Sequence, residues 1–223
     1  CVFGAPVELA CNSCSGAADC SELFISEYIE GSLAADRCIE IYNPTPNPVN
    51  LTSGNYQIRI YENSNTTFES PAVSLTGTIA SGDVYVICRN SSQFSSDQTD
   101  SEINFTGNDA VALAKNGVDI DVIGKIGENT EWGSGLISTE NNTLRRKSTV
   151  QTGDPNGNDV FDPSIEWEGY SVNNAVDLGS HTTDCVCTGL DVTIAGDLEI
   201  CDEEITLLDA GSFPDSPTYV WSN

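Results

Sequence analysis

The stretch Asp154-Pro155-Asn156-Gly157-Asn158-Asp159-Val160-Phe161-Asp162 spaces side-chain oxygens at alternate positions around a glycine. That pattern resembles the first half of a calcium loop, in which a hard cation gathers roughly six to eight carboxylate, amide and carbonyl oxygens. Asp154, Asn156, Asn158, Asp159 and Asp162 are the candidate ligands, and calcium is the one cofactor the sequence suggests. Ile165 stands where a calcium loop places its bidentate glutamate, and Glu166 comes one residue late. Asp, Asn, Gly and Pro also make ordinary polar turns. Trp132, Trp167 and Tyr170 could stack on a sugar ring, which would make a glycan a partner, although burial is the commoner fate of a tryptophan in a sandwich. Arg145-Arg146-Lys147 is the single basic cluster; along a strand Arg145 and Lys147 share one face and Arg146 takes the other, so pairing with local carboxylates is expected. Catalysis is not expected. The one histidine, His181, has no nucleophile motif such as Gly-x-Ser-x-Gly to serve. Carboxylate pairs mean little in a chain with 34 acidic residues.

The charge balance excludes other functions. Eight Lys and Arg oppose 34 Asp and Glu, for a net charge of −26. All eight basic residues lie at or before Lys147, and the 15 acidic residues from Ser148 onward have no basic neighbour in sequence. Such a field repels nucleic-acid phosphates and anionic membranes, so neither is an expected partner. No apolar run reaches the ~18 residues of a membrane span. Nine cysteines, at positions 1, 11, 14, 20, 38, 88, 185, 187 and 201, point to an oxidising, extracellular setting. Cys11-x-x-Cys14 has no second pair at zinc spacing, so disulfides are the favoured reading of Cys1, Cys11, Cys14, Cys20, Cys185 and Cys187, with connectivity open. Sequons at Asn50, Asn65, Asn90, Asn104 and Asn141 suit a secreted glycoprotein.

The elements that would position these groups are short and β-rich. Runs such as LFISEYIEGS, CIEIYNPTPNPVNL and YQIRIYE are bounded by Gly, Pro and Asn, as antiparallel strands joined by turns should be. The clearest hairpin spans 104–127, with Asn116-Gly117 suited to a type I′ turn. A regular register pairs Lys115 with Val118, Leu113 with Ile120 and Val111 with Val122, leaving Ala112, Ala114, Asp119 and Asp121 on a solvated face. Gly107-Asn108-Asp109 should set the chain's approach to this hairpin. No apolar period near 3.6 persists, so helix content should be low.

Several of these segments in order resemble a known family. Leu23-Phe24-Ile25-Ser26-Glu27-Tyr28-Ile29-Glu30-Gly31-Ser32, Ile39-Glu40-Ile41-Tyr42-Asn43-Pro44, Gly82-Asp83-Val84-Tyr85-Val86-Ile87 and Phe105-Thr106-Gly107-Asn108-Asp109-Ala110-Val111-Ala112-Leu113 are similar to the lamin-tail domain. Asp121-Val122-Ile123-Gly124, Thr143-Leu144-Arg145-Arg146-Lys147 and Phe161-Asp162-Pro163-Ser164-Ile165-Glu166-Trp167 resemble its secreted bacterial type, notably from Bacteroidetes. The resemblance implies an all-β, immunoglobulin-like β-sandwich over 22–184; the cysteine-rich text before it, 1–21, has neither helical nor strand period and is read as a separate, disulfide-stapled segment. It implies no activity, because the module is non-catalytic and accompanies varied secreted proteins. Cys38 and Cys88 stand where the family usually has other residues, each in an expected strand, and they are expected to pair, across strands or between sheets.

Residues 185–223 resemble the start of an immunoglobulin-like or PKD-type repeat through Cys201, Leu208-Asp209-Ala210-Gly211 and Tyr219-Val220-Trp221-Ser222. They are too few for a whole sandwich, so an incomplete second β-sandwich is expected, continued by more chain or completed by strand addition. The reading overall is a non-catalytic extracellular structural or adhesion module of a larger cell-surface or filament-forming protein. Its partners would be copies of itself or other surface proteins. The alternative is an accessory domain of a secreted nuclease or other hydrolase.

Overall fold

A computed structural model describes residues 20–185. Within them the strands run in the order β1 (Phe24–Glu30), β2 (Arg37–Tyr42), β3 (Val49–Asn50), β4 (Tyr56–Tyr61), β5 (Val73–Ser74), β6 (Thr78–Ile79), β7 (Val84–Arg89), β8 (Gln98–Asp100), β9 (Ala110–Lys115), β10 (Val118–Ile123), β11 (Gly133–Ser134), β12 (Ile137–Ser138), β13 (Asn142–Arg146) and β14 (Trp167–Ser171). One short helix, α1 (Pro163–Glu166), precedes β14. A six-stranded sheet, β14-β13-β1-β2-β7-β8, faces a four-stranded sheet, β10-β9-β4-β5, and two small pairs, β11-β12 and β3-β6, flank them. Ile25, Tyr28, Ile39, Ile41 and Leu144 from the first sheet meet Ile58, Ile60, Val111, Leu113 and Ile123 from the second in one core. The expected all-β immunoglobulin-like sandwich is present. The second, incomplete sandwich and the segment 1–19 lie outside the described residues.

Two β-bulges decide which side chains enter the core. In β1 the register with β2 shifts between Ile25 and Glu27. Ile25 and Tyr28 therefore both face inward, while Glu27 lies on the outer face of the sheet opposite Glu40. In β10 the register with β9 shifts between Asp119 and Asp121, so Asp121, and not Ile120, pairs with Leu113. This corrects the regular register expected from the sequence beyond Ala114 and Asp119. The turn itself is as expected, with Asn116 at φ 51° and Gly117 at φ 83°.

The β10 bulge carries Asp121 into the sandwich, where it is fully buried. Its Oδ2 accepts from the Ile25 amide at 2.7 Å and pairs with Arg146 Nη1 at 2.5 Å. Its Oδ1 accepts from the Asp154 amide at 2.9 Å. Arg146 Nη1 also donates to the Ile25 carbonyl, so the residue beside the β1 bulge has both backbone groups satisfied by this pair. The Arg146 guanidinium lies 4.7 Å from the Trp167 ring and its Nη2 holds Glu166 at 2.6 Å. Burial alone would lower the Arg146 pKa, but Asp121 and Glu166 more than offset it and hold it above the ordinary value.

The hairpin's second face is covered, contrary to the solvated face expected. Ala112 and Ala114 are buried; Ala112 joins Tyr61, Ala110, Val122 and Trp132 in a second apolar cluster, against which Phe68, Ile126 and Phe161 pack. Asp119 on that face binds Arg59 at 2.9 Å and the Tyr61 hydroxyl. The free edge at β14 is covered as well. Gly169 lets the Leu136 carbonyl lie against β14, where a Cβ would come within 2.1 Å of it.

Asp121→Ala should remove the interior partner of Arg146 and the acceptor of two amides, lowering unfolding free energy by about 3–5 kcal/mol. Val118→Thr, at the exposed end of the same strand, should change it by under about 0.5 kcal/mol. Urea midpoints check both, and an Asp121→Ala midpoint equal to that of the parent would remove the pair from the account.

Candidate functional site

Ionisable groups collect on the outer face of the six-stranded sheet. Register sets Glu40, Glu27 and Arg145 side by side across β2, β1 and β13. Arg145 Nε binds Glu27 at 3.0 Å, its Nη1 binds Asp177 at 2.9 Å and its Nη2 binds Asn174 Oδ1 at 2.7 Å. Its guanidinium lies 4.2 Å from the Tyr170 ring. Glu40 accepts from Ser26 Oγ at 2.7 Å and from the Gly179 amide at 2.6 Å. Both carboxylates are nearly inaccessible, because the chain from 172 to 185 crosses this face as a strap.

Apolar contacts hold the strap down. Ala175 and Leu178 pack against Ile29, Cys38, Val86 and Cys88, and the His181 ring stands edge-on to Tyr42 and Phe24 at 5.0 and 5.9 Å. Beside it a cleft of about 250 Å³ is bounded by Arg145, Arg146, Tyr170, Asp177 and His181. Burial pushes the Glu27 carboxyl up to about 7, against the pull of Arg145 and with a further push from Glu40. Burial likewise raises Glu40, opposed by its hydrogen bonds from Ser26 and Gly179. Burial, then the charge of Arg146, lowers His181 to about 4. The arrangement binds protons and neutralises its own cation, with the imidazole neutral near pH 7.

The 154–162 segment runs along β10: the Asp154 carbonyl accepts from Val122 N and the Gly157 carbonyl from Ile126 N. Gly157 suits that approach, since a Cβ there would come within 2.6 Å of Ile126 Cδ1 and the Ile126 side chain would have to shift. Asp154 and Asn156 accept from the amides of Asn156 and Asn158, and Asp159 accepts from the Asn156 side chain. Asp162 caps α1 through the Ser164 amide. Among the described residues no three His, Cys, Asp or Glu side chains converge on one point. Trp132 and Trp167 are 6% and 1% exposed, core residues that form no sugar platform. Asp109 is buried and accepts from the Asn63 amide and from both the amide and hydroxyl of Thr106, anchoring the approach to the hairpin.

Cys38 is bonded to Cys88, and the two are directly opposite on adjacent strands of one sheet, a cross-strand bridge and not an inter-sheet one. Cys20 is bonded to Cys185, which ties a cysteine of the expected leader to the far end of the strap. Cys1, Cys11, Cys14, Cys187 and Cys201 lie outside the described residues. Asn50, Asn65, Asn90, Asn104 and Asn141 are all exposed. Sequence reasoning passed over Glu27 and Glu40, which look like outward polar residues of alternating strands; their cover comes from a segment some 140 residues away.

The titrations have opposite signs. Glu27, raised from 4.5 to about 7, contributes stability that is complete below pH 4.5 and lost as pH rises through about 7. His181, lowered from 6.5 to about 4, contributes stability present above pH 6.5 and lost as pH falls through about 4. The difference in unfolding free energy between the parent and Glu27→Gln should therefore change by about 3 kcal/mol between pH 4.5 and 7 and be flat outside that window. Denaturant midpoints across pH 4–8 check this, and a pH-independent difference would contradict it.

No curated protein and no solved structure matches the chain. A family model does: residues 17–127, which carry β1 to β10 but not the β13 and β14 that complete the larger sheet, match the Lamin Tail Domain.

Proposed function

We propose that this chain is a non-catalytic structural module of a larger extracellular protein, on the cell surface or in a filament, that works through contacts with neighbouring copies or other surface proteins. The observation that carries the reading is the pair of disulfides, one locking two strands of the larger sheet and one closing the domain's ends. Bonds of this kind persist in oxidising compartments. The match to the Lamin Tail Domain, a module type that is typically non-catalytic, supports it.

The groups best suited to chemistry hold the fold together. Six of the eight basic side chains are in ion pairs with carboxylates, and Lys147 Nζ donates to the carbonyls of Ser164 and Ile165. The outer surface is thereby left strongly acidic. Copies of such a surface repel one another unless cations intervene, which gives calcium a role at contacts between copies that needs no closed loop of ligands. The five exposed sequon asparagines are then the points where glycans would attach.

Electron microscopy of material isolated from its source, with and without a calcium chelator, tests the reading. Ordered filaments or arrays that loosen on chelation are expected. Dispersed particles in both conditions would end it and favour an accessory domain of a longer secreted enzyme.

A further inference from the structure

We propose that the Cys20–Cys185 disulfide is a clasp that carries tension past the sandwich, so that the domain hangs from the side of a stretched chain. The two cysteines are 165 positions apart in sequence and their Cα atoms 6.0 Å apart. Cys20 stands just before β1, and Cys185 ends the strap that returns over the larger sheet. Tension applied to the two flanks has a covalent path through the bridge. The hydrogen bonds and apolar contacts of 21–184 receive none of it.

The bridge also sits where an unclasped fold would yield first. The strap comes back to the same corner as the start of β1, with His181 against Phe24 and the Asp184 amide on the Ser148 carbonyl. Load at two ends of one corner opens contacts one after another and does not shear a whole ladder at once. The strap would leave before any strand, because scattered bonds and a few apolar contacts retain it in place of a ladder: Gly179 to Glu40, Arg145 to Asn174 and Asp177, Asn173 with Ser32, and Asp184 with Ser148 and Gln151. Cys38–Cys88 is a second, nested lock that would still withhold 50 of those 165 positions.

This inference deepens the structural-module reading and rests on it for its purpose, but it is tested separately. The oxidised full chain, held at its two ends in a single-molecule force experiment, should show no step of about 590 Å, the span of 165 residue steps at ~3.6 Å each, and none of about 410 Å, the span left when Cys38–Cys88 withholds 50 of them. In Cys20→Ala/Cys185→Ala a step of about 410 Å should appear, from 115 steps, because Cys38–Cys88 still withholds 50 of the 165. A step of about 410 Å in the oxidised parent, or none of that size in the double variant, would overturn the clasp. Should the double variant not fold, the oxidised parent nicked by a protease at Val160, which is 83% exposed and outside the 38–88 loop, replaces it. Its two fragments should stay joined and bear load without reductant, and separation under load would overturn the proposal. Flanks that proved to belong to an enzyme would end the structural-module reading and leave the clasp result standing.

Discussion

The interior pair between Asp121 and Arg146 is the constraint on which the rest of the sandwich depends. A charge pair without water is costly unless each remaining lone pair and proton has a partner, and here nearly all do. Asp121 takes two amides besides the guanidinium, and Arg146 gives its other hydrogen bonds to Ile25 O and Glu166. The pair thus joins β10 of the smaller sheet to β1 and β13 of the larger one and to the 153–157 segment that lies along β10. Both bulges serve it: one turns Asp121 inward, and the other leaves Ile25 backbone groups for it to satisfy.

Much of the fold was legible in the sequence because its signals are local. The Asn116-Gly117 turn, the β-rich runs of 24–30, 37–42, 56–61 and 84–89, and the low helix content all follow from neighbouring residues. The pairing of Cys38 with Cys88 was within reach once both were placed in strands. What could not be read was the bulge at Ile120. Alternation in VDIDVI looks regular, and the signal that breaks it is a partner, Arg146, that is distant in sequence.

Cover was the other hidden element. Alternating strands imply a wet face, yet β1 and β2 are buried along their whole length. The strap from 172 to 185 has the composition of a loop, and nothing near Glu27 or Glu40 announces it. The 154–162 pattern shows the converse difficulty. Its Asp, Asn and Gly residues suit an ion, but the same residues allow a backbone to run close beside a strand edge and satisfy it, which is what 153–157 does for β10.

A sandwich whose central strands are buried on both faces and which carries two covalent locks commits its interior charges to the fold. That view stands or falls on the interior pair being intact in solution. Native-state hydrogen exchange of the Ile25 and Asp154 amides, both donated to the Asp121 carboxylate, tests it most directly. The account predicts that the two exchange together, at rates set by opening of the whole domain. Exchange within minutes at either amide, while the flanking strands stay protected, would contradict it.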